Sequence, residues 1–231
     1  MTDAARAERI RQMFDRIAPS YDRMNMLFSL DRDRAWRKRA ARMAGLQPGQ
    51  TAIDVCTGTG KLAHELLPYV QPGGQVIGVD FAPAMLDLAR KRYPDIRFQL
   101  GDATALPFPD ASADAVTIAF GYRNLVDRVG GLHEMARVLR PGGRLVLLEF
   151  TPPADGILMR LYRVYLARVM PAIAGILRGG DRDAYSYLAD TVHAFPRIDE
   201  VTAQLRAAGF APITARRMTF GIVALHAARR P

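Results

Sequence analysis

Residues 52–66, AIDVCTGTGKLAHEL, decide the fold, because an apolar run breaks at two glycines and then takes on helical spacing. Gly58, Gly60 and Ala63 satisfy the G-x-G-x-x-G/A spacing of the turn that joins a strand to a helix in nucleotide-binding folds. Glycines let the backbone approach a ligand closely, and the first turn of the helix offers free N–H groups. The segment therefore predicts a strand, a ligand-binding turn and a helix.

Outward from this turn, strands and helices alternate with short connections. The apolar runs TAIDVC, QVIGVD, IRFQLGD, DAVTIAF and RLVLLEF are typical of parallel strands buried on both faces. APITARRM and GIVALHAAR follow as an antiparallel pair at the edge of the sheet. The prediction is an α/β, Rossmann-like fold with a mainly parallel seven-stranded sheet and an antiparallel C-terminal edge.

The regular alternation occupies the middle of a single domain, residues 1–231. Residues 1–45 are expected to form an N-terminal helical cap, in which Ile10, Met13, Phe14 and Ile17 fall at helical spacing and Pro19 ends the first helix. Residues 151–196 are expected to form a helical insertion over the substrate site. Within it, residues 156–178 predict one long or kinked helix, interrupted by Pro171.

Composition restricts the class of protein. The net charge is +9, carried almost wholly by arginine, which favours anionic partners or reflects an arginine-rich genome. Aromatic-rich basic clusters are absent, so no nucleic-acid partner is predicted. Cys56 is the only cysteine, which excludes an intrachain disulfide, and no metal site is predicted. The polar N-terminus and three arginines in the longest apolar stretch, residues 157–177, predict a cytoplasmic protein.

Acidic residues at successive strand ends indicate which cofactor the glycine turn holds. Asp54 lies inside the first strand, where NAD-binding turns usually carry an apolar residue, and it can hold the turn and an ammonium group. Asp80 ends the second strand and suits the ribose of either NAD or S-adenosylmethionine. Asp102, followed by Ala103, can receive an adenine amino group. Together with Gly58 and Gly60, these acids favour S-adenosylmethionine over NAD.

Four further stretches carry a more specific resemblance. They are YDRMNMLFSLDRDRAW (residues 21–36), FGYRNLVD (120–127), RVLRPGGRLVLLEFT (137–151) and YSYLADTVHAFP (185–196). With them the sequence, over about residues 13–227, resembles the ubiquinone/menaquinone C-methyltransferase family (UbiE/MenG). The resemblance implies S-adenosylmethionine-dependent methylation of the ring of a prenylated quinol, most directly demethylmenaquinol to menaquinol. It also implies that Thr59 and Ala119 contact the cofactor and that homodimers form.

Three positions depart from the pattern of that family. Asp33 stands where the family usually has His, and Lys61 replaces the acid of the usual Gly-Thr-Gly-Asp turn. Ala119 stands where a cofactor-contacting Ser is common. Lys61 reverses the charge beside the expected carboxylate end of the cofactor, so it is expected either to be compensated by an acid or to point to solvent.

Quinol methylation predicts roles for residues near the strand ends. Loss of a phenolic proton makes the neighbouring ring carbon nucleophilic, so the site has to assist deprotonation and stabilise a phenolate. Arg123 is the candidate for stabilisation and Asn124 for positioning the ring. Tyr21 is expected to close over the cofactor or order a water. His193 is a candidate general base, with a water activated by Arg123 as the alternative. Tyr185, Tyr187 and Tyr165 are predicted to line the substrate site.

Residues 157–177 also suggest that the protein binds to a membrane surface. Leu158, Tyr162 and Tyr165 share one face of the predicted helix, and the three arginines lie towards the other. That pattern predicts either peripheral binding to the inner face of the cell membrane, a channel for the prenyl tail, or an ordinary core helix. Alternative functions are methylation of 2-methoxy-6-polyprenyl-1,4-benzoquinol in ubiquinone biosynthesis, phospholipid N-methylation, and a catalytically silent scaffold.

Overall fold

A computed structural model describes residues 2–29, 31–152, 164–170, 172 and 182–231, without the side chains of Phe28, Leu166, Ala167, Arg182 and Tyr185. One seven-stranded sheet has the order β3-β2-β1-β4-β5-β7-β6. Its strands are β1 (Thr51–Val55), β2 (Gln75–Asp80), β3 (Arg97–Leu100), β4 (Ala113–Ala119), β5 (Leu139–Phe150), β6 (Ile213–Met218) and β7 (Val223–Arg229). β1 to β5 pair in parallel, and β7 is antiparallel to both β5 and β6. The predicted sheet and its antiparallel edge are confirmed.

Helices connect and cover the strands. Within the described residues they are α1 (Asp3–Ser29), α2 (Arg32–Ala44), α3 (Lys61–Val70), α4 (Pro83–Arg92), α5 (Arg128–Val138), α6 (Arg182–His193) and α7 (Ile198–Ala207). Local chemistry determines where two of these helices begin. Pro83 occupies the first turn of α4, where its missing N–H costs nothing. Asp127 caps α5 by accepting a 2.8 Å hydrogen bond from the Gly130 N–H.

The sheet is buried on both faces, as its apolar strands predict. Ala52 of β1 packs with Leu62 and Leu66 of α3 on one face. Its neighbour Ile53 packs with Leu132 of α5 and Leu205 of α7 on the other. This alternation follows from the two-residue period of a strand. Two separate cores therefore hold β1 and its loop in place.

The strand order creates a crevice above β1. Within the sheet, β2 lies on one side of β1 and β4 lies on the other side, so the chain runs first in one direction from β1 and later in the opposite direction. At such a switch point the loops that follow the strands diverge, and ligands bind outside their carboxyl ends. The glycine turn after β1 lies at this point.

The N-terminal helix is longer than predicted. Pro19 was expected to end it, but α1 continues through Pro19 to Ser29. Proline removes one backbone donor, and the Ser20 hydroxyl donates to the Ile17 carbonyl at 3.2 Å within the same turn. Burial of Ile17 and Met24 holds the helix on both sides of the proline. The prediction of a stop is wrong because packing outweighs the intrinsic cost of the proline.

The predicted helix over residues 156–178 falls mostly outside the described residues. Tyr165–Val169 form a short π-helical turn there. In the part of the chain that the structure describes, no helix is both long and apolar enough to cross a membrane.

Candidate active site

The two glycines of the turn after β1, Gly58 and Gly60, have different roles. Gly58 has φ +56°, and a Cβ built on it would meet nothing within 4 Å. Gly60 has φ +80°, and its Cβ would lie 2.8 Å from Cζ of Phe98. Both residues occupy the left-handed region that favours glycine. Gly58 therefore leaves space for a ligand, whereas Gly60 lets α3 pack against the sheet.

Asp54 supports the turn from below. It is 1% exposed and accepts hydrogen bonds of 2.6 Å from the hydroxyls of Thr57 and Thr117. Burial raises the pKa of Asp54 to about 6, against the lowering effect of the two hydroxyls. The carboxylate ties the turn to β4, and Asp54 is not among the residues that line the cavity above it.

Asp80 occupies the end of β2 and faces the crevice. One carboxylate oxygen accepts the Gly58 N–H at 2.8 Å and the other accepts the Ala82 N–H at 3.0 Å. Burial raises the pKa of Asp80 to about 6, and the neighbouring Asp54 adds to the rise. Each oxygen keeps a further lone pair for a ligand hydroxyl.

A first cavity of ≈ 280 Å³ opens above these strand ends. Predicted cofactor residues that line it are Gly58, Asp80, Asp102, Ala103 and Ala119, and the predicted catalytic residues Tyr21 and Asn124 line it too. Asp102 accepts 2.8 Å hydrogen bonds from the N–H and hydroxyl of Thr104, which orient its carboxylate. The set suits S-adenosylmethionine, since acceptors for a ribose and an adenine amino group face space that a glycine leaves open.

Thr59 and Gly60 do not line this cavity. The Thr59 hydroxyl donates to Asp22 of α1 at 2.8 Å. Lys61 Nζ lies 3.2 Å from Asp22 and 3.6 Å from Asp33 of α2. These contacts join the cofactor turn to the N-terminal helices and answer the charge reversal at Lys61, which is compensated by acids.

A second cavity of ≈ 360 Å³ lies beside the first and is mostly apolar. Phe14, Tyr21 and Phe120 line both cavities, so the two share a wall. The remaining lining of the second cavity includes Ile17, Trp36, Arg37, Arg123, Phe150, Tyr165, Met170, Tyr187, Leu188, Val192 and Ile222. The more apolar second cavity thus adjoins the first, which carries the acids of the strand ends, across three aromatic rings.

Arg123 projects from a 3₁₀ turn (Tyr122–Asn124) that follows β4. Its Nη1 lies 2.8 Å from Oε1 of Glu149, whose residue is 1% exposed, and donates to the Phe120 carbonyl at 2.5 Å. Among the described residues its buried Nε–H has no partner. An acid and a carbonyl thus hold the guanidinium, and since Arg123 lines the second cavity its remaining N–H groups can meet an oxygen acceptor there.

The other predicted catalytic residues occupy different surroundings. Asn124 Oδ1 accepts a 3.2 Å hydrogen bond from the Tyr187 hydroxyl, which connects the first cavity to the second. Burial raises the pKa of Tyr21, while Arg37 and Arg123 lower it. His193 ends α6, is exposed, and lines neither cavity. Tyr165 lines the second cavity, and the Tyr185 side chain lies outside the described part of the structure.

Several site residues escaped the sequence analysis. Arg37 and Trp36 of α2 and Phe120 of β4's end line the second cavity. The signal for Trp36 was its place in the resembled N-terminal motif, but nothing in the sequence marks Arg37 among many arginines. Asp22 and Asp33 lie in the resembled N-terminal motif, but the sequence does not predict their contacts with Lys61, because these depend on how α1 and α2 pack against α3.

A doubly wound sheet with a glycine turn, acids at the ends of β2 and β3 and an adjoining apolar chamber defines a methyltransferase that uses S-adenosylmethionine. The family model described as the ubiE/COQ5 methyltransferase family matches residues 1–230. The chain belongs to that family.

Known proteins agree with this assignment. The chain is 46% identical to the demethylmenaquinone methyltransferase of Thermus thermophilus, over 95% of this chain and 100% of that protein. It is 42% identical to the ubiquinone/menaquinone biosynthesis C-methyltransferase UbiE of Geobacter sulfurreducens, over 96% and 88%. In fold it is similar to a SAM-dependent methyltransferase from Thermotoga maritima, with a TM-score of 0.69, 19% identity and coverage of 95% and 99%.

Proposed function

We propose that the protein methylates a ring carbon of a prenylated quinol, with demethylmenaquinol as the substrate and menaquinol as the product. The observation that carries the proposal is the shared wall between the first cavity, lined by the acids at the strand ends, and the more apolar second cavity, with Arg123 at the second. A flat ring in the second cavity would meet the reactive end of a cofactor in the first across Phe14, Tyr21 and Phe120.

The chemistry of a quinol matches the side chains at this wall. S-adenosylmethionine supplies an electrophilic methyl group, and the ring carbon becomes a nucleophile when the neighbouring hydroxyl loses its proton. Arg123 stabilises the resulting phenolate through its inward guanidinium edge, while Glu149 holds that guanidinium in position. Tyr21 lines both cavities, and Asn124 acts on the ring through Tyr187, which lines the second cavity and donates to its Oδ1. A water held by Arg123 accepts the phenolic proton in this scheme, because His193 lines neither cavity. The methylated carbon then releases its own hydrogen as a proton and the oxygen takes a proton back, so the ring is aromatic again and S-adenosylhomocysteine is left.

Demethylmenaquinol is favoured by the names of the relatives. Proteins at 46% and 47% identity, from Thermus thermophilus and Deinococcus radiodurans, are demethylmenaquinone methyltransferases. The UbiE protein from Geobacter sulfurreducens carries a name that covers ubiquinone as well. The choice between a naphthoquinol and a benzoquinol therefore goes to experiment.

The test compares three acceptors in separate reactions. The purified protein is incubated with methyl-labelled S-adenosylmethionine, dithionite and one acceptor at a time: demethylmenaquinol, 2-methoxy-6-polyprenyl-1,4-benzoquinol or phosphatidylethanolamine. We expect label in the naphthoquinol ring and no label with the oxidised quinone. Label only in the benzoquinol would move the protein to ubiquinone biosynthesis. Label only in the lipid would replace the proposal with phospholipid N-methylation, and label nowhere would favour a scaffold.

A prenylated substrate partitions into lipid, so we propose peripheral binding to the inner face of the cell membrane. The net charge of +9 supports attraction to anionic headgroups. Flotation with vesicles containing phosphatidylglycerol at low salt should carry the protein upwards, and 0.5 M salt, roughly, should release it. Absence from the vesicle fraction at low salt would contradict this.

We also propose a homodimer, which rests on the family resemblance. Light scattering after size-exclusion chromatography gives the mass directly. A mass near 25.5 kDa, that of one chain, would contradict it.

A further inference from the structure

Arg37 is a buried cation that the scheme above leaves unused. Its side chain is 10% exposed and lines the second cavity. Among the described residues its buried Nε–H has no hydrogen-bond partner. Asp33 Oδ2 lies 3.6 Å from that Nε, close enough to balance the charge but too far for a hydrogen bond. The terminal N–H groups of the guanidinium are further donors, and since Arg37 lines the cavity a ligand oxygen there can accept from them.

The surroundings of Arg37 repeat those of Arg123. Each guanidinium has an acid behind it, Asp33 for Arg37 and Glu149 for Arg123. Each lies over an aromatic ring: Cζ of Arg37 is 5.1 Å from the Phe120 centroid, and Cζ of Arg123 is 5.6 Å from the Phe150 centroid. Those two rings are in contact, with centroids 4.7 Å apart. Two cations that line the second cavity thus flank one aromatic pair.

We infer that Arg37 binds the second ring oxygen of the quinol, the hydroxyl next to the prenyl-bearing carbon. The inference rests on the proposed function and adds a substrate-binding residue to it. A 1,4-quinol carries oxygens on opposite sides of one ring, and two cations over two neighbouring rings of one cavity provide a donor for each oxygen. Arg123 then receives the oxygen beside the methyl-accepting carbon, and Arg37 fixes which edge of the ring faces the cofactor.

Burial raises the pKa of the Tyr21 hydroxyl, and the Arg37 and Arg123 guanidiniums lower it. Tyr21 lines the second cavity with both arginines, so three polar side chains are available there to a ring that bears two oxygens.

The chain offers a built-in probe for the test. Trp36 is the only tryptophan, is 7% exposed and lines the second cavity next to Arg37 in sequence. Quenching of its fluorescence reports ligand binding without any turnover. Two synthetic probes separate the oxygens: 2-prenyl-1,4-naphthoquinol carries both, and 3-prenyl-1-naphthol lacks the hydroxyl next to the prenyl-bearing carbon. Both are titrated under dithionite with S-adenosylhomocysteine present.

The variant Arg37→Met should weaken binding of the two-oxygen probe about 10- to 100-fold. Binding of the one-oxygen probe should change by less than about twofold, since the lost donor has no partner on it. Arg34→Met, at an exposed position of the same helix, is the matched control and should behave like the original protein. Arg37→Lys should recover part of the affinity, because it keeps the charge and loses the planar fork.

Three outcomes would overturn the inference. Equal losses for both probes would show that Arg37 shapes the cavity and binds no particular oxygen. An unchanged affinity for the two-oxygen probe would remove Arg37 from the site. Failure of the original protein to bind either probe would overturn the proposed function as well. Unaltered affinity of Arg37→Met for S-adenosylhomocysteine shows that the variant is folded, and if it is not, Arg37→Lys carries the comparison.

Discussion

Lys61 Nζ lies 3.6 Å from Oδ2 of Asp33, so the two charge-altering departures from the family pattern contact each other. Where the resembled family usually has His at position 33 and Asp at position 61, this chain has an acid and a cation. The signs are exchanged, and the attraction between α2 and α3 is kept. Asp22 of α1 adds a second acid 3.2 Å from the same Nζ.

A charge reversal tests this compensation. Lys61→Asp places a carboxylate beside Asp22 and Asp33, with Asp33 only 5% exposed, so the free energy of unfolding should fall by about 1–3 kcal/mol. Adding Asp33→His should recover part of the loss by restoring the family's arrangement. Urea denaturation gives both values. Lys91→Asp, at an exposed site, is the control and should change stability by less than about 0.5 kcal/mol. A double variant no more stable than the single one would show that the pair is not coupled.

Most of the fold could be predicted because its signals are local. Five buried strands read as apolar runs, Gly58 and Gly60 mark the first turn, and Pro83 marks the start of α4. The end of α1 could not be predicted, because the local effect of Pro19 opposes a tertiary effect. Burial of Met24 against Met170 and Val192 depends on residues far along the chain. Propensity alone gives no weight to such contacts.

The residues of the candidate site also fall into those that the sequence predicts and those that it does not. Asp80 and Asp102 follow strands directly, and parallel strands bring their carboxyl ends to one edge, so sequence order predicts that they meet. The partners of Arg123 and Lys61 could not be predicted. Glu149 is 26 residues from Arg123 along the chain and reaches it through the pairing of β4 with β5. Asp54 stays a predicted cofactor residue, and its hydrogen bonds from Thr57 and Thr117 could not be predicted because they depend on the turn and on the pairing of β1 with β4.

Cofactor affinity should depend on the protonation of Asp80. The pKa of Asp80 is about 6, so the residue is a carboxylate at pH 7.5 and becomes protonated below about pH 6. Protonation removes acceptor capacity needed for Gly58, Ala82 and a ribose hydroxyl. Affinity for S-adenosylhomocysteine should therefore be constant above about pH 7 and fall up to about tenfold per pH unit below 6. Isothermal titration calorimetry between pH 5 and 8, roughly, measures it.

The free energy of unfolding gives an independent check, because the contribution of Asp80 to it changes with pH in the opposite direction to cofactor affinity. The pKa of Asp80 is higher in the folded protein than its ordinary 3.8, so the folded state binds the proton more tightly. The contribution of Asp80 to the free energy of unfolding is therefore largest below about pH 4 and declines as pH rises to about 6. Asp80→Asn should bind the cofactor weakly with no change across this pH range. Asp54→Asn separates the two acids, since Asp54 has a similar pKa. A persistent pH dependence in Asp80→Asn would assign it to another group.

The two glycines of the turn should fail in different ways when replaced by alanine. A methyl group on Gly60 would meet Phe98 at 2.8 Å and Tyr93 at 3.0 Å, so Gly60→Ala should lower the free energy of unfolding by about 2–4 kcal/mol. A methyl group on Gly58 meets open space, and only backbone strain of about 1 kcal/mol remains. That methyl group projects where the cofactor binds, so Gly58→Ala should weaken S-adenosylhomocysteine binding by tenfold or more, roughly. Equal stability losses in the two variants would contradict this division.

Arg123 and Glu149 should act as one unit in turnover. Arg123→Met removes the cation that stabilises the phenolate, so kcat should fall about 100- to 1,000-fold. The dissociation constant of S-adenosylhomocysteine should change little, because Arg123 lines the second cavity and not the first. Glu149→Gln leaves Arg123 in place without its 2.8 Å ion pair and should cost less in kcat, about tenfold.

The double variant, Arg123→Met with Glu149→Gln, then distinguishes catalysis from folding. If Glu149 acts only by holding Arg123, the double variant should be no slower than Arg123→Met alone. Multiplied losses would mean that Glu149 has a separate effect, through the Arg123 and Phe150 N–H groups that it also accepts at 3.1 and 2.9 Å. Arg128→Met, an arginine after the same strand that lines neither cavity, is the control and should keep its kcat. Unaltered turnover in Arg123→Met would leave the phenolate without its proposed partner.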